Sequence, residues 1–279
     1  MRTVVGRDEL RSALEGLPRP LALVPTMGAL HHGHGSLLAL AASRAASVVV
    51  SAYVNPLQFA DGADLRDYPS TPGPDAALCA RGGVGVLWRP TREDAFADET
   101  AEPVDDALAG DLEGRDRPGH FVGVATVVRE LWRAVGPDLA VFGAKDWQQL
   151  AVVRALAARL GGPRIVEAPT VRDPDGLAAS SRNVRLSPAA RRVALAIPRS
   201  LDAARDAAAR GVRSVHEIEG RTMAAIAGAA THDVPVRLHY ASVRDGSTLA
   251  SSDTIGPGAR LLVAATVGGV RLIDNAPLA

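Results

Sequence analysis

This 279-residue chain has a single cysteine, no net charge and no long apolar run. The single cysteine, Cys79, excludes an intramolecular disulfide framework and a cysteine-based zinc site. No uncharged apolar stretch reaches the roughly 18 residues of a membrane span, and the N-terminus lacks the apolar run of a signal peptide. We therefore expect a soluble globular protein of the cytoplasm, with no membrane as a partner.

Charges of the two signs balance, with 31 Lys and Arg against 31 Asp and Glu. A chain without net charge has no general attraction for nucleic acid, so none is expected as a partner. A site for an anion must instead come from the local placement of cations. Lys145 is the only lysine, because arginine supplies all the other positive side chains.

Short apolar runs alternate with helix-length segments through the first two thirds of the chain. The runs predicted as strands are residues 21–24, 48–54, 84–87, 139–142 and 164–168. The segments predicted as helices include residues 35–46, 126–135 and 148–160. This alternation predicts an α/β fold with a parallel sheet covered by helices on both faces. Ligands of such sheets bind at the carboxyl ends of the strands.

The pattern changes at about residue 170. A polar loop (172–187) precedes two predicted helices (188–210 and 215–230) and three predicted strands (236–243, 260–266 and 270–273). The last two strands are separated by the turn Val267-Gly268-Gly269. We therefore expect two domains, residues 1–170 and residues 171–279, the second being α+β with an antiparallel sheet. Residues 69–74 and 101–118 are expected to be mobile loops.

Three histidines follow the first of these strands, within the stretch Met27-Gly28-Ala29-Leu30-His31-His32-Gly33-His34. On the first turn of the helix that follows, His31 and His34 would face the same way. They would lie beside free backbone N–H groups and the positive end of the helix dipole, where phosphate binds. Imidazoles there can hydrogen-bond phosphoryl oxygens. The alternatives are a plain histidine-containing turn or an adventitious metal site.

Two further strand ends carry polar residues suited to ligands. Asn55 and Gln58 could bind hydroxyl or carboxylate oxygens of a small substrate, or could simply form an Asn-Pro turn. The ammonium of Lys145 suits phosphate, and the carboxylate of Asp146 suits ribose hydroxyls. The alternative for this second pair is an exposed lysine beside an acidic helix start.

Two hydroxyls and an arginine, Ser180-Ser181-Arg182, lie near the predicted domain boundary. They can bind polyphosphate and neutralise a leaving pyrophosphate, and from a second domain they could close over it. A Gly/Ser linker is the alternative. A stretch at residues 112–121, with two arginines and a histidine, has the composition of a lid or a partner contact.

Taken together and in this order, these segments resemble the pantothenate synthetase family over almost the whole chain. The matching stretches are Pro-Thr-Met-Gly-Ala-Leu-His (25–31), Gly-His (33–34), Val-Asn-Pro (54–56), Gln-Phe (58–59), Tyr-Pro (68–69), Arg-Pro-x-His-Phe (117–121), Lys-Asp (145–146), Gln-Gln-Leu (148–150), Asp-Gly-Leu-Ala (175–178), Ser-Ser-Arg-Asn (180–183) and Leu-Ile-Asp-Asn (272–275). Each stretch alone is weakly specific, whereas the collinear set is strong.

The resemblance implies a Rossmann-like N-terminal domain of the nucleotidylyl-transferase type, a smaller C-terminal lid domain and a homodimer. It also implies an enzyme that uses ATP and Mg²⁺ to join D-pantoate to β-alanine. In the first step pantoate attacks the α-phosphorus of ATP, giving pantoyl adenylate and pyrophosphate. In the second step β-alanine attacks the activated acyl carbon and releases AMP.

The resemblance further implies a role for each matched residue. The residues implied to handle the phosphates are His31, His34, Lys145, Ser180, Ser181 and Arg182. The residues implied to hold or enclose pantoate are Met27, Gln58, Tyr68 and Gln149. The residues implied to contact the rest of ATP are Gly28, Asn55, Gly143, Asp146 and Val171. Mg²⁺ would be held mainly by the ATP phosphates, with Asp75 as a possible ligand.

Several positions depart from the family pattern, which commonly has Glu at Ala144, Met at Ala179 and Arg at Ser70. In addition, an acidic cluster is thinned to Gly73-Pro74, and His32 replaces an acidic residue. None of these changes removes a proposed phosphate ligand. They predict weaker turnover than in a typical relative.

Three other functions fit parts of the pattern. A different adenylyl- or cytidylyltransferase would share the histidine site but charge another acceptor. A metal-binding or ligand-sensing protein would use the three clustered histidines, and it would leave Lys145 without a purpose. An inactive relative that acts as a binding module would account for Ala144 and Ala179.

Overall fold

Two β-sheets organise the chain, which is described here by a computed structural model covering residues 1–59, 62–96 and 100–278. The strands of the first sheet are β1 (Arg2–Val4), β2 (Leu21–Thr26), β3 (Ser47–Ala52), β4 (Val86–Trp88), β5 (Leu139–Gly143) and β6 (Arg164–Ala168). The strands of the second sheet are β7 (Val236–Asp245), β8 (Ala259–Val267) and β9 (Val270–Pro277). The first sheet is parallel, in the order β1-β4-β3-β2-β5-β6, and the second is antiparallel.

Helices connect the strands of the first sheet and fill the segment between the two sheets. Those of the N-terminal part are α1 (Arg7–Leu14), α2 (His32–Arg44), α3 (Gly62–Arg66), α4 (Pro72–Arg81), α5 (Arg92–Ala95), α6 (Asp106–Ala109), α7 (Glu113–Asp116), α8 (His120–Val135) and α9 (Trp147–Leu160). Those of the C-terminal part are α10 (Pro188–Ala194), α11 (Ala196–Ala209) and α12 (Val215–Ala227). Short 3₁₀ turns occupy Pro56–Gln58, Ala144–Asp146 and Ser181–Arg185.

Successive residues of the central strands enter two different cores, because side chains alternate across a sheet. Leu23 of β2 and Val49 of β3 pack on one side in a core that includes α1, α8 and α9. Val24 and Val50 pack on the other side, against Leu38 of α2. The parallel sheet is therefore covered on both faces, as the near-continuous apolar strands predict.

The second sheet has its own core, formed with α11 and α12. Leu201 and Ile218 are buried there, at 1% exposure each, beside Val263 of β8. Strands β8 and β9 are joined by Gly268 and Gly269, whose φ angles are 55° and 84°. A two-residue hairpin turn with both φ angles positive favours glycine at both positions, which accounts for the Gly-Gly pair.

The predicted strands and the α/β fold class are confirmed, and the differences have local causes. The predicted helix 188–210 is divided after Ala194, because Pro198 has no N–H to donate to the carbonyl of that residue. Residues 101–118, expected to be a loop, contain α6 and α7. The prediction missed β1, a strand of only 3 residues that pairs with β4.

The change from parallel to antiparallel sheet falls after β6, which ends at Ala168, and the predicted boundary at residues 170–171 lies two residues beyond it. The division into two domains stays a prediction. None of the helices in the described part of the chain is both long and apolar enough to cross a membrane.

Candidate active site

The loop between β2 and α2 is shaped by a buried carboxylate. Asp75, which is 3% exposed, accepts hydrogen bonds from the backbone N–H groups of Ala29 (3.1 Å) and Leu30 (2.8 Å) and from the hydroxyl of Thr71 (2.8 Å). Within the loop, Gly28 has a φ of 78°, which favours glycine, and an added Cβ would meet the same carboxylate at 3.2 Å. Asp75 therefore holds the turn that leads into the histidine helix.

His31 and His34 cap the start of α2 reciprocally. The Nδ1 atom of His31 accepts a hydrogen bond from the backbone N–H of Gly33 at 3.1 Å. The Nδ1 atom of His34 accepts one from the backbone N–H of His31 at 3.2 Å. The two ring centroids are 4.2 Å apart. Because both Nδ1 atoms are acceptors, each neutral ring carries its proton on Nε2 and can donate it to a ligand.

Both rings are neutral at physiological pH. Burial, followed by the neighbouring His32 and Lys145, lowers the pKa of His31 to about 4. Burial, followed by His31 and Lys145, lowers the pKa of His34 to about 3. The pair therefore offers hydrogen-bond donors to an anion without carrying a full charge of its own.

We expect the two imidazoles to stay in the Nε2–H form, without titrating, from pH 8 down to pH 5.5. Long-range ¹H–¹⁵N NMR spectra measure this directly. The folded pKa values lie below the 6.5 of a free imidazole. Below pH 6.5 these two histidines therefore bind protons in the unfolded chain but not in the folded chain. The free energy of unfolding consequently falls as the pH drops from 6.5 towards 4. Titration of either ring near pH 6.5 in the free protein would contradict this.

Gly33 leaves room for the His31 ring. An added Cβ would lie 2.9 Å from Nδ1 of that ring and 3.2 Å from Cβ of Ala179. We expect Gly33→Ala to displace the ring and lower kcat about tenfold, since small misplacements of reacting groups are costly. The melting temperature should change little, because the gain of about 0.5–1 kcal/mol from Ala rather than Gly in a helix opposes the cost of disturbing the His31 cap, about 0.5–2 kcal/mol.

Gly35→Ala is the matched control for this prediction. It lies in the same first turn of α2, and an added Cβ would meet only Leu78 at 3.8 Å, an ordinary contact. Equal losses of kcat in both variants would show that helix rigidity, rather than the position of His31, causes the effect.

The histidines open into a cleft with an empty volume of about 1260 Å³, at the carboxyl ends of β2 and β5. The cleft brings together most of the residues predicted from the sequence. Those that line it are Met27, His31, His34, Gln58, Tyr68, Gly143, Lys145, Asp146, Gln149, Val171, Ser180, Ser181 and Arg182.

Two cationic side chains, Lys145 and Arg182, line this cleft. Lys145 lies in the 3₁₀ turn Ala144–Asp146 that follows β5, and its Nζ is 3.7 Å from a carboxylate oxygen of Asp146. On another side, the hydroxyl of Ser181 donates to the hydroxyl of Tyr68 at 3.3 Å. The guanidinium of Arg182 lies 6.0 Å from the centre of the Tyr68 ring. Cations, hydroxyls and imidazole N–H groups thus surround one space, a combination suited to a polyphosphate.

Three predicted residues do not line the cleft. Asn55 is 1% exposed, and its amide accepts from the backbone N–H of Leu57 (3.1 Å) and donates to the carbonyl of Gly123 (2.9 Å). These contacts match the Asn-Pro turn alternative, and the contact of Asn55 with ATP stays a prediction. Gly28 has the positive φ angle that its turn requires, and its contact with ATP stays a prediction. The oxygens of Asp75 are taken by the protein, so we propose no metal role for it.

A second cleft, of about 1120 Å³, adjoins the first. The residues that line both clefts are Met27, Gln58, Lys145, Asp146, Gln149, Ser180 and Arg182. Of the residues that line only this second cleft, the prediction considered those within the stretch 112–121, as a lid or a partner contact. Glu113, which lines this cleft and is 4% exposed, accepts hydrogen bonds from Arg117 (3.2 Å) and from the hydroxyl of Tyr240 (3.1 Å), and it is paired with Arg271.

Two residues that line the second cleft also hold the backbone of Gln58. The backbone carbonyl of Gln58 accepts hydrogen bonds from Arg117 at 2.6 Å and from Nδ1 of His120 at 2.9 Å. Burial, followed by Arg117, lowers the pKa of His120 to about 4, so this ring is neutral. In the sequence, the Arg-Pro-x-His-Phe stretch was the signal that could have revealed this cleft, because its arginine and its histidine both bind the carbonyl of Gln58.

Comparison with known proteins assigns the family. The sequence matches the family model described as pantoate–β-alanine ligase over residues 2–277. The chain belongs to the pantoate–β-alanine ligase family. This ligase is similar to the pantothenate synthetase of Thermobifida fusca, with 47% identity over 97% of this chain and 93% of the relative. It is 46% identical to the pantothenate synthetase of Acidothermus cellulolyticus, over 99% of this chain and 92% of the relative.

Solved structures agree with the sequence relatives. The ligase matches the crystal structure of pantothenate synthetase from Thermus thermophilus with a TM-score of 0.92 and 41% identity, over 100% of this chain and 99% of that one. It also matches the pantoate–β-alanine ligase of Francisella tularensis, solved in complex with β-γ ATP and β-alanine. That match has a TM-score of 0.80 and 30% identity, over 100% of this chain and 98% of that one. The resemblance, the fold class and the assignment as an enzyme are confirmed.

Proposed function

We propose that this chain condenses D-pantoate with β-alanine through pantoyl adenylate, using MgATP and releasing pyrophosphate and AMP. One observation carries the proposal: two neutral imidazoles at the start of α2 share a single cleft with Lys145, with Ser180-Ser181-Arg182 and with Gln58 and Gln149. Phosphate-binding and carboxylate-binding groups therefore face the same space, as joining a nucleotide to an acid requires.

In the first step, a pantoate carboxylate oxygen forms a bond to the α-phosphorus as the bond to the pyrophosphate oxygen breaks. We assign the amides of Gln58 and Gln149 to pantoate, with Met27 and Tyr68 enclosing it. The Nε2–H groups of His31 and His34 donate to phosphoryl oxygens whose negative charge grows in the transition state. Their neutral form suits this role, because a donor is needed and no proton has to be transferred.

The leaving pyrophosphate needs charge neutralisation on its own side. We assign this to Lys145 and to Arg182, with the hydroxyls of Ser180 and Ser181 as further donors. Asp146 and the Gly143 backbone are assigned to the ribose, and Val171 to the adenine side. Since both glutamines and Lys145 line the two clefts, the acyl carbon would lie where the clefts join.

In the second step, the amine of β-alanine attacks the acyl carbon and AMP leaves with the electrons of the acyl–oxygen bond. The second cleft supports this step, because it opens onto Gln58 and Gln149 and is not lined by the histidine pair. No covalent enzyme intermediate is required, since positioning and charge neutralisation supply the acceleration.

Mg²⁺ is proposed to arrive with ATP. In the part of the chain that the structure describes, no three His, Cys, Asp or Glu side chains are grouped to hold a metal ion. Mg²⁺ is commonly bound through substrate phosphates, where it neutralises their charge. Asp146, the acidic side chain that lines the cleft, is assigned to the ribose, so we propose that the ATP phosphates hold the metal.

We further propose that residues 171–279 act as a lid that brings Ser180-Ser181-Arg182 over bound ATP, in a cytoplasmic homodimer. The contact of Ser181 and Arg182 with Tyr68 supports the lid, because it links the two parts of the chain beside the cleft.

The test is pyrophosphate release from MgATP, first with D-pantoate alone and then with β-alanine added. We expect one equivalent of pyrophosphate per site with D-pantoate alone, and steady turnover with AMP formation once β-alanine is present. Pyrophosphate release that does not depend on pantoate but does depend on another acid would indicate a different acceptor. No release from folded protein that binds ATP would indicate an inactive relative.

A further inference from the structure

The middle of β9 lines the second cleft but not the cleft that contains His31 and His34. The Leu-Ile-Asp-Asn stretch (272–275) matches the family, yet its polar residues have no role in the chemistry above. Asp274 and Asn275 are 4% and 5% exposed, so each requires partners inside the protein.

The amide of Asn275 is fully used. Its Nδ2 donates to the carbonyl of Ala144 at 2.9 Å and to the carbonyl of Lys145 at 2.9 Å. Its Oδ1 accepts from the guanidinium of Arg260. That guanidinium in turn stacks on the ring of Trp147, with 3.5 Å from its central carbon to the ring centre. One side chain of the second sheet therefore binds the backbone of the turn that carries Lys145.

A turn of this kind needs such a partner. Ala144–Asp146 is a single 3₁₀ turn between β5 and α9, and no side chain caps it. A solitary turn is weakly held by its own hydrogen bonds. The carbonyls of Ala144 and Lys145 belong to the two peptide planes on either side of the Lys145 Cα, so the amide of Asn275 holds both planes. The direction in which the Lys145 side chain leaves the backbone depends on these two planes.

Asp274 braces a second segment in the same way. Its carboxylate accepts two hydrogen bonds from the guanidinium of Arg172, at 2.7 Å and 3.1 Å. Arg172 also donates to the carbonyl of Gly176 at 3.0 Å, closing the loop that leads to Ser180. Two neighbouring residues of β9 thus contact the turn that carries Lys145 and the loop that precedes Ser180-Ser181-Arg182.

We infer that Asn275 is a positioning residue, which sets the Lys145 turn for ATP from the second sheet. The inference rests on the proposed function, in which Lys145 neutralises phosphate charge. Because the contact crosses from one sheet to the other, a shift of β9 would move Lys145 with it. The C-terminal part would then act on ATP in two ways, directly through Ser180-Ser181-Arg182 and indirectly through this turn.

Asn275→Asp tests the inference with almost no change of volume. The Oδ1 contact with Arg260 is kept, while two N–H donors are replaced by an oxygen that faces two carbonyls. We expect the single-turnover rate of pyrophosphate release to fall at least about tenfold, within the roughly hundredfold cost of misplacing reacting groups by about 1 Å. Asn275→Ala, which removes the contacts without adding repulsion, should act in the same direction.

A double-mutant cycle separates positioning from a structural role. If Asn275 acts through Lys145, then Asn275→Asp in a Lys145→Ala background lowers the residual rate by less than about threefold. The control is Ile226→Ala, which opens the C-terminal core at a residue with 1% exposure that lines neither cleft. It should lower the melting temperature and leave the rate unchanged.

Three outcomes overturn the inference: an unchanged rate in folded Asn275→Asp and Asn275→Ala, full additivity with Lys145→Ala, or an equal loss of rate in Ile226→Ala. Failure of the proposed function looks different, because the unmodified protein would then release no pyrophosphate with pantoate. In that case ATP affinity by calorimetry still tests the inference. Positioning predicts at least about tenfold weaker binding in Asn275→Asp, and no difference from the unmodified protein overturns it.

Discussion

Lys145→Met lowers kcat/KM for ATP by about 10²–10³-fold, the range found when one preorganised donor to a developing charge is removed. Methionine keeps much of the length of the side chain and removes the ammonium. No second lysine can substitute, because Lys145 is the only one in the sequence. Its side chain is 19% exposed, so the charge acts in a space with little water to screen it. Pyrophosphate release measured over a range of ATP concentrations gives the result.

Lys145→Arg is the companion variant. It keeps the positive charge but replaces a compact ammonium by a broad planar group. We therefore expect an activity between that of the Lys145→Met variant and that of the unmodified protein. The melting temperatures of both variants should stay close to that of the unmodified protein. Equal activity of the Met variant and the unmodified protein would remove Lys145 from the mechanism.

His34→Ala is expected to lower kcat by about 10²–10³-fold. The substitution removes an Nε2–H donor and also the Nδ1 acceptor that receives the N–H of His31. Loss of a helix cap costs about 0.5–2 kcal/mol, so the melting temperature should fall as well. Steady-state kinetics at a temperature well below the unfolding transition separates the two effects.

His32→Ala is the matched control, because it changes a histidine in the same first turn. The His32 side chain is 54% exposed, and its ring pairs with Asp173 at 3.3 Å, away from the reciprocal cap. Since the histidine of this pair is exposed to solvent, the pair should contribute little to stability. We expect kcat within about twofold of the unmodified value. A comparable loss in His32→Ala and His34→Ala would favour a shared metal-binding role for the histidines.

Much of the fold and of the site could be predicted because their signals are local. The strands β2, β3 and β5 are short apolar runs, and their ends carry the residues that face the cleft. Ligands gather at that edge of any parallel sheet, so the histidine pair and Lys145 could be expected to meet. The imidazole, ammonium and hydroxyl side chains at these strand ends predicted a phosphate-binding site. The order of the matching stretches along the chain then identified the family.

The remaining features depend on contacts between residues far apart in sequence. Asn55 and Asp75 are polar residues beside the site, and only their burial shows that the protein itself uses their side chains. Glu113 lies in a segment with the composition of a loop, yet it joins Arg117 to Arg271, which is 158 residues further along the chain. No periodicity or spacing reports a partner at that distance.

The departures from the family pattern can also be located. Ala144 is 5% exposed and packs in the core, and its backbone carbonyl is bound by Asn275. Ala179 lies beside Gly33 and lines the histidine side of the cleft. Neither replacement removes an assigned donor. The expectation of weaker turnover stays a prediction, and the kinetic constants from pyrophosphate release measure it.

The reciprocal cap has a consequence for the evolution of this chain. His31 and His34 cap the start of α2 through their Nδ1 atoms, and the same contacts orient their Nε2–H groups for phosphate. Selection for a folded protein alone would therefore oppose their loss, even in a lineage that no longer needed the reaction. The histidines could persist in a descendant without activity, whereas Lys145 and Gln149, which cap no helix, would be free to drift. Loss of activity in such a lineage should be sought first at those two positions.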